Sequence, residues 1–73
     1  PSTTLEFAIP RNSYVTLCVY NTAGQKVATL VQRSLPAGIH SAVWDARGMP
    51  SGLYFYTVRT KNYNETKKMI LLK

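Results

Sequence analysis

The 73-residue sequence is poor in the side chains that most catalytic and metal sites require. It contains one cysteine, one histidine and three acidic residues, Glu6, Asp45 and Glu65. A single cysteine excludes an internal disulfide, and His40 has no cluster of His, Cys or Asp residues at metal-ligand spacing. The serines lie in no context that supplies a general base. We therefore predict that the chain is not an enzyme and uses no metal and no cofactor.

Long apolar runs are also missing. No stretch approaches the ~18 apolar residues of a membrane-spanning helix, and the first residues show no signal-peptide pattern. We expect no stable insertion into a membrane. Apolar residues do not recur at helical spacing over three turns either. The abrupt opening, Pro1-Ser2-Thr3-Thr4, suggests that residues 1–73 are a single domain cut from a longer polypeptide.

Basic residues outnumber acidic ones nine to three, which gives a formal net charge of +6. Such a balance suits nucleic acid, anionic polysaccharide, lipid or a plain solvated surface. Most cations are scattered beside turns and do not alternate with aromatic residues along one stripe, which argues against nucleic acid. Only Lys67, Lys68 and Lys73 gather, near the C-terminus.

What the sequence does contain is alternation of apolar and polar residues with period two, typical of half-buried β-strands. Short extended segments recur and are separated by Gly, Pro and Asn, with Gly24 and Gly38 as structural turn residues. The predicted strands are residues 4–9, 14–20, 26–31, 39–45, 53–60 and 65–73. This pattern predicts an all-β sandwich or barrel in which most strand pairs are antiparallel hairpins.

The predicted core consists of the large apolar residues at alternate strand positions. They are Leu5, Phe7, Ile9, Val15, Leu17, Val19, Val27, Leu30, Val43, Trp44, Tyr54, Val58 and Ile70. Cys18 is expected to pack as a small hydrophobic residue. In the fifth strand alternate side chains face opposite ways, so only part of the aromatic set can be exposed.

The segment from Lys67 to Lys73 departs from this alternation. Its apolar residues, 69–72, are continuous, and the sequence stops directly on Lys73. One interpretation is a final strand whose lysines protect a sheet edge. The other is a signal that a second protein reads at the chain terminus, and these two features favour it.

Matching stretches along the whole chain carry a family resemblance. They include Pro1-Ser2-Thr3-Thr4, Val15-Thr16-Leu17, Gly24-Gln25-Lys26-Val27, Leu35-Pro36-Ala37-Gly38, Val43-Trp44-Asp45, Gly52-Leu53-Tyr54 and Thr66-Lys67-Lys68-Met69. In this order and spacing the chain closely resembles the type A C-terminal sorting domain of type IX (Por) secretion. That family is related to the Ig-like domain of the flagellar hook-assembly scaffold.

The resemblance implies an Ig-like antiparallel β-sandwich of about six to seven short strands. It implies a signal that directs an upstream cargo, a hydrolase or an adhesin, through the periplasm and the type IX translocon. The cargo would be secreted or held at the cell surface of a Gram-negative, Bacteroidetes-type bacterium, and a sortase-like peptidase would remove the signal. The family motifs fall on Gly52, Tyr54, Lys67, Lys68 and Lys73, which we expect the secretion machinery to recognise.

Two other hypotheses remain open from the residues alone. The aromatic residues, Tyr14 and Tyr63 among them, and the sandwich architecture suit a carbohydrate-binding accessory module of an extracellular glycoside hydrolase. An inert sandwich also suits a purely structural linker.

Overall fold

The computed structural model describes residues 2–72, and over those residues it contains six β-strands and no helix. The strands are β1 (Ser2–Ile9), β2 (Ser13–Tyr20), β3 (Lys26–Leu35), β4 (Gly38–Asp45), β5 (Gly52–Arg59) and β6 (Asn64–Leu71). All six lie where the sequence predicts them, although β3 continues to Leu35 instead of ending at Val31. A search of residues 2–72 for a helix able to cross a membrane finds none.

The strands form two sheets, one of β1 and β4 and one with the order β3-β2-β5-β6. All four pairings are antiparallel, as predicted. Only β2–β3 and β5–β6 are hairpins, so the expectation that most pairs are hairpins is wrong. In Ig nomenclature the two sheets correspond to strands B–E and C′–C–F–G, which identifies an Ig-like β-sandwich.

The core lies between the two sheets and follows the alternation of the strands. In β2, Val15, Leu17 and Val19 face inward and are 0% exposed, whereas Tyr14 on the opposite face is 59% exposed. Leu5, Phe7 and Ile9 of β1 cover them from the other sheet. Burial of each such side chain contributes about 1.5–3 kcal/mol, so the inward set supplies most of the favourable free energy of folding.

Two of the predicted core residues are exposed, so those predictions are wrong. Val43 is 62% exposed and Ile70 is 70% exposed, because Trp44 and Leu71 beside them take the inward positions. A shift of one residue along a strand moves every side chain to the other face. Val27 and Leu30 are only partly buried against the core. The buried residues that the prediction omitted are Val31, Ala46, Tyr56 and Leu71.

The connections fall into two groups at opposite ends of the sandwich. The β1–β2, β3–β4 and β5–β6 turns lie at one end, which we call the far end, where the amide of Ala37 donates to the Asn12 side chain. The β2–β3 turn and the β4–β5 loop lie at the other end. Ser2, paired with Asp45, and Leu71, paired with Gly52, lie there too, so we call it the terminal end.

Candidate recognition surface on the last hairpin

Tyr54, one of the predicted recognition residues, belongs to the core. Its side chain is 4% exposed, and its ring meets Trp44 edge to face with the centroids 5.1 Å apart. Its hydroxyl donates a 2.6 Å hydrogen bond to the carbonyl oxygen of Pro50. A tyrosine at the start of strand F that bonds back to the preceding corner is the tyrosine corner of Ig-like sandwiches. The side chain of Tyr54 therefore anchors the β4–β5 loop and presents little surface to a partner.

Gly52 opens β5 directly after that loop. Its φ of 150° is a conformation that residues with a Cβ rarely adopt, while no atom outside its chain neighbours lies within 4 Å of an added Cβ. The position therefore requires glycine for its backbone and not for lack of space. Gly52 and Tyr54 together shape the corner that delivers the chain into β5.

Of the two predicted turn glycines, Gly24 lies in a turn, whereas Gly38 directly follows the β3–β4 turn. Gly24 lies in the β2–β3 turn with a φ of 81°, and its amide donates to the carbonyl of Asn21. The Oδ1 atom of Asn21 accepts the amides of Ala23 and Gln25, each at 3.0 Å, which closes the turn. Gly38 is the first residue of β4, opposite Ile9.

Lys67 and Lys68 point to opposite faces of β6, because successive side chains of a strand alternate. Lys67 lies opposite Tyr56 on the inward face, whereas Lys68 lies opposite Phe55 on the outward face. Lys73 falls outside the described residues. The two described lysines therefore do not form one patch, and any partner on a single face meets only one of them.

The inward Lys67 lies on the edge strand of the four-stranded sheet and lines a shallow depression with Glu6, Phe7 and Ala8 of β1. Charges that point inward on an edge strand oppose the addition of a further strand there. This position agrees with the edge-protection interpretation for Lys67 and leaves Lys68 for contact with a partner.

The outward face of the last hairpin carries an apolar patch beside Lys68. Leu53 and Ile70 form a cross-strand pair, 38% and 70% exposed, and the next pair is Phe55 with Lys68. Tyr20 extends the patch onto β2, opposite Phe55. We call these five residues the hairpin surface. Lys68 was predicted; Leu53, Phe55 and Ile70 were missed, although their alternation with the inward Tyr54 and Leu71 carries the signal.

The remaining chemically active side chains are engaged in local structure. His40 Nε2 lies 2.7 Å from the carbonyl oxygen of Pro36, and its ring lies 5.7 Å from that of Phe7. Cys18 is buried, with its sulfur 3.7 Å from the Thr29 hydroxyl. No group of three or more potential metal ligands occurs in residues 2–72.

The acidic residues are likewise tied to neighbours or separated. Arg47 holds Asp45 through hydrogen bonds of 2.7–3.2 Å, which lower the pKa of that carboxyl below its usual value. The Tyr63 hydroxyl donates to Glu65 at 2.9 Å, and this bond raises the pKa of the tyrosine. Glu6 and Glu65 lie in different sheets, β1 and β6, so the two strands do not bring them together as a pair.

The described residues thus form a two-sheet sandwich with a structured corner and an exposed apolar face. The family model of the secretion system C-terminal sorting domain matches residues 2–72. The chain therefore belongs to this family of type IX sorting signals, and export to the cell surface or the extracellular space follows from that membership. No curated protein and no solved structure matches the chain.

Proposed function

We propose that this domain is a non-catalytic C-terminal signal that directs an upstream cargo across the outer membrane of a Bacteroidetes-type bacterium. The observation that supports it is the family match over residues 2–72. The engaged state of His40, Cys18 and Asp45 agrees with a signal that acts through contact and not through chemistry. The cargo, a hydrolase or an adhesin, precedes β1 in this proposal.

The hairpin surface is the part of the domain that a component of the translocon contacts. An Ile on an outward strand position that is 70% exposed gains free energy when a partner covers it. Lys68 lies beside the apolar pair and is exposed, so a partner with an apolar centre and an acidic rim complements the surface. Contact through the sheet face is preferred to strand addition, since Lys67 opposes the latter.

The sortase-like peptidase cuts ahead of β1 and not within the domain. A peptidase binds its substrate as an extended chain with free backbone groups. From Ser2 onward β1 is paired with β4 in continuous register as far as Ile9. A segment upstream of Ser2 supplies an extended chain with free backbone groups, and the peptidase binds it without any unfolding of the sandwich.

Secretion of a reporter fused ahead of the domain, in a host with type IX secretion, tests the proposal. Ile70→Asp and Lys68→Glu are expected to reduce the reporter in the medium and at the cell surface. Val43→Asp is the matched control, because Val43 is a β-branched residue, 62% exposed, on the outward face of the other sheet. Lys26→Glu, on β3, is the control for Lys68→Glu.

The possible outcomes distinguish the role of the hairpin surface from that of the terminal strand and from the sorting function as a whole. Secretion that needs the domain but tolerates Ile70→Asp and Lys68→Glu overturns the hairpin surface as the contact. Equal loss with Val43→Asp does the same. Secretion that survives deletion of residues 67–73 shows that the terminal strand is not read, and secretion without the domain overturns the sorting function.

A further inference from the structure

We propose that the far end of the sandwich binds a sugar unit that carries an anionic group, such as a uronate in an acidic polysaccharide. The site is a cleft of about 500 Å³ between the β1–β2 turn and the β5–β6 turn. This volume lies in the range of small-ligand sites. The cleft is at the opposite end from Ser2 and Leu71, so it is distinct from the corner at Gly52 and from the Leu53–Ile70 pair.

The cleft arises because β5 ends at Arg59, whereas β2 begins at Ser13, beyond the last residue that pairs with β5. The last pair is Thr16 with Arg59, and the same register continued would place Lys61 opposite Tyr14. Instead the chain turns at Thr60, whose amide donates to the carbonyl of Tyr63 at 2.7 Å. The gap beside the start of β2 is lined by residues 10–14 and 60–63.

The cleft walls are partly apolar and also carry hydrogen-bond donors and two cationic side chains. Arg11 and Lys61 are exposed, and among residues 2–72 neither has an ion-pair partner, since the one described pair joins Arg47 to Asp45. Asn12 is held in place by its Oδ1 atom, which accepts the amide of Ala37 at 2.8 Å. Its amide nitrogen makes no hydrogen bond within the described part of the chain, which leaves a positioned donor on the cleft.

The acidic side chain of Glu65 contacts Tyr63, which lines the cleft. It accepts the Tyr63 hydroxyl at 2.9 Å and does not line the cleft. A cleft with two unpaired cations and a fixed amide donor favours a ligand rich in acceptors with a negative charge. Arg59 lies one pair further along the outward face and adds to the positive potential.

Tyr14 distinguishes a sugar from a simple anion. Its ring is 59% exposed on the outward face of β2, and no hydrogen bond to its hydroxyl is described in residues 2–72. An exposed tyrosine offers an apolar ring face and a polar tip, which together match the apolar and hydroxylated sides of a sugar ring. Tyr63 lines the same cleft from the β5–β6 turn.

Titration of the isotope-labelled domain with short oligosaccharides, followed by amide chemical shifts, tests the site. The acidic ligands are an oligogalacturonate and a sulfated galactan oligomer, and the controls are a neutral galactan oligomer and polyglutamate. The expected result is binding of an acidic oligomer, with amide shifts concentrated in residues 11–14 and 60–63. The ratio of the two acidic affinities identifies whether carboxylate or sulfate is preferred.

Paired variants distinguish specific binding at the cleft from an effect of the domain's net charge on affinity. Lys61→Ala is expected to weaken binding about tenfold, the value of one charge-assisted hydrogen bond, whereas Lys26→Ala at the terminal end leaves it within about twofold. Tyr14→Ala weakens binding and Tyr14→Phe retains most of it, since the ring face is kept. The amide spectra of the free variants show whether each is folded.

Three results overturn the proposal. They are equal affinity for polyglutamate with no effect of Tyr14→Ala, equal affinity for the neutral oligomer, and no binding of either acidic oligomer. None of them bears on secretion, so this inference and the sorting function fail independently.

Discussion

The Tyr54 hydroxyl reaches back four residues to the Pro50 carbonyl oxygen, 2.6 Å away, and fixes the corner between the two sheets. The tyrosine of the Gly52–Tyr54 motif is thus explained by the fold itself, because the chain crosses from β4 to β5 here and the crossing needs an anchor. Under the proposed function, this corner would support the hairpin that carries the hairpin surface.

Tyr54→Phe removes only the hydroxyl. We expect the free energy of unfolding to fall by about 0.5–1.5 kcal/mol, the net contribution of one hydrogen bond. Urea denaturation measures the change. Tyr14→Phe is the control, since the Tyr14 side chain is exposed, and it is expected to change stability by less than about 0.5 kcal/mol. Equal effects of the two substitutions contradict the assigned role of the Tyr54–Pro50 bond.

Gly52→Asn and Gly24→Asn place the same side chain on two different backbone conformations. Gly24, with a φ of 81°, lies near the left-handed region that Asn tolerates, whereas Gly52, with a φ of 150°, does not. We expect Gly52→Asn to cost about 1–3 kcal/mol of stability and Gly24→Asn to cost clearly less. Thermal unfolding of both variants and of the parent domain measures the two losses of stability. A larger loss for Gly24→Asn than for Gly52→Asn contradicts the prediction.

The sequence predicts the strands and most of the core because period-two alternation marks both. The prediction of core residues is correct where apolar and polar residues alternate strictly, as in β2. It is wrong in β6, where the apolar residues of 69–72 are continuous. There the choice between Ile70 and Leu71 depends on the partner strand: Met69 faces inward opposite Tyr54, so Leu71 does too. The far-end cleft could not be predicted from the sequence either, since it depends on which turns the topology brings together.

Asp45→Asn probes the ion pair with Arg47. Because the pair lowers the pKa of Asp45 in the folded state, its stabilising effect is present above the usual aspartate pKa and is lost as the pH falls through the lowered value. We expect the parent domain to melt slightly higher than Asp45→Asn at pH 7, with a difference that closes as the pH falls through the lowered pKa of Asp45. The gap is small and shrinks in salt, since the pair is exposed.

Glu6→Gln is the control for that measurement. It makes the same change of charge on a side chain that has no ion pair within residues 2–72. If the melting temperatures of the parent domain and Glu6→Gln differ by the same pH-dependent amount, the effect is due to net charge and not to the Asp45–Arg47 pair.

Cys18 is expected to be protected from thiol reagents while the domain is folded. Its side chain is 5% exposed and lies between Thr29 and Thr57 in the sheet register. Modification by a coloured disulfide reagent is then slow in buffer and fast in denaturant, because reaction requires exposure of the thiol. Rapid labelling of the native domain contradicts the position of Cys18 in the sheet.

Leu71→Ala and Ile70→Ala test the inward and outward assignment of β6. Leu71 is 5% exposed and packs in the core, so its truncation is expected to cost about 2–3 kcal/mol, near the low end for a buried leucine at the end of a strand. Ile70 is 70% exposed, and its truncation is expected to change stability by less than about 0.5 kcal/mol. Denaturation curves give both values. If Ile70→Ala proves the more costly, β6 has the opposite register, Lys68 faces inward, and the hairpin surface does not exist.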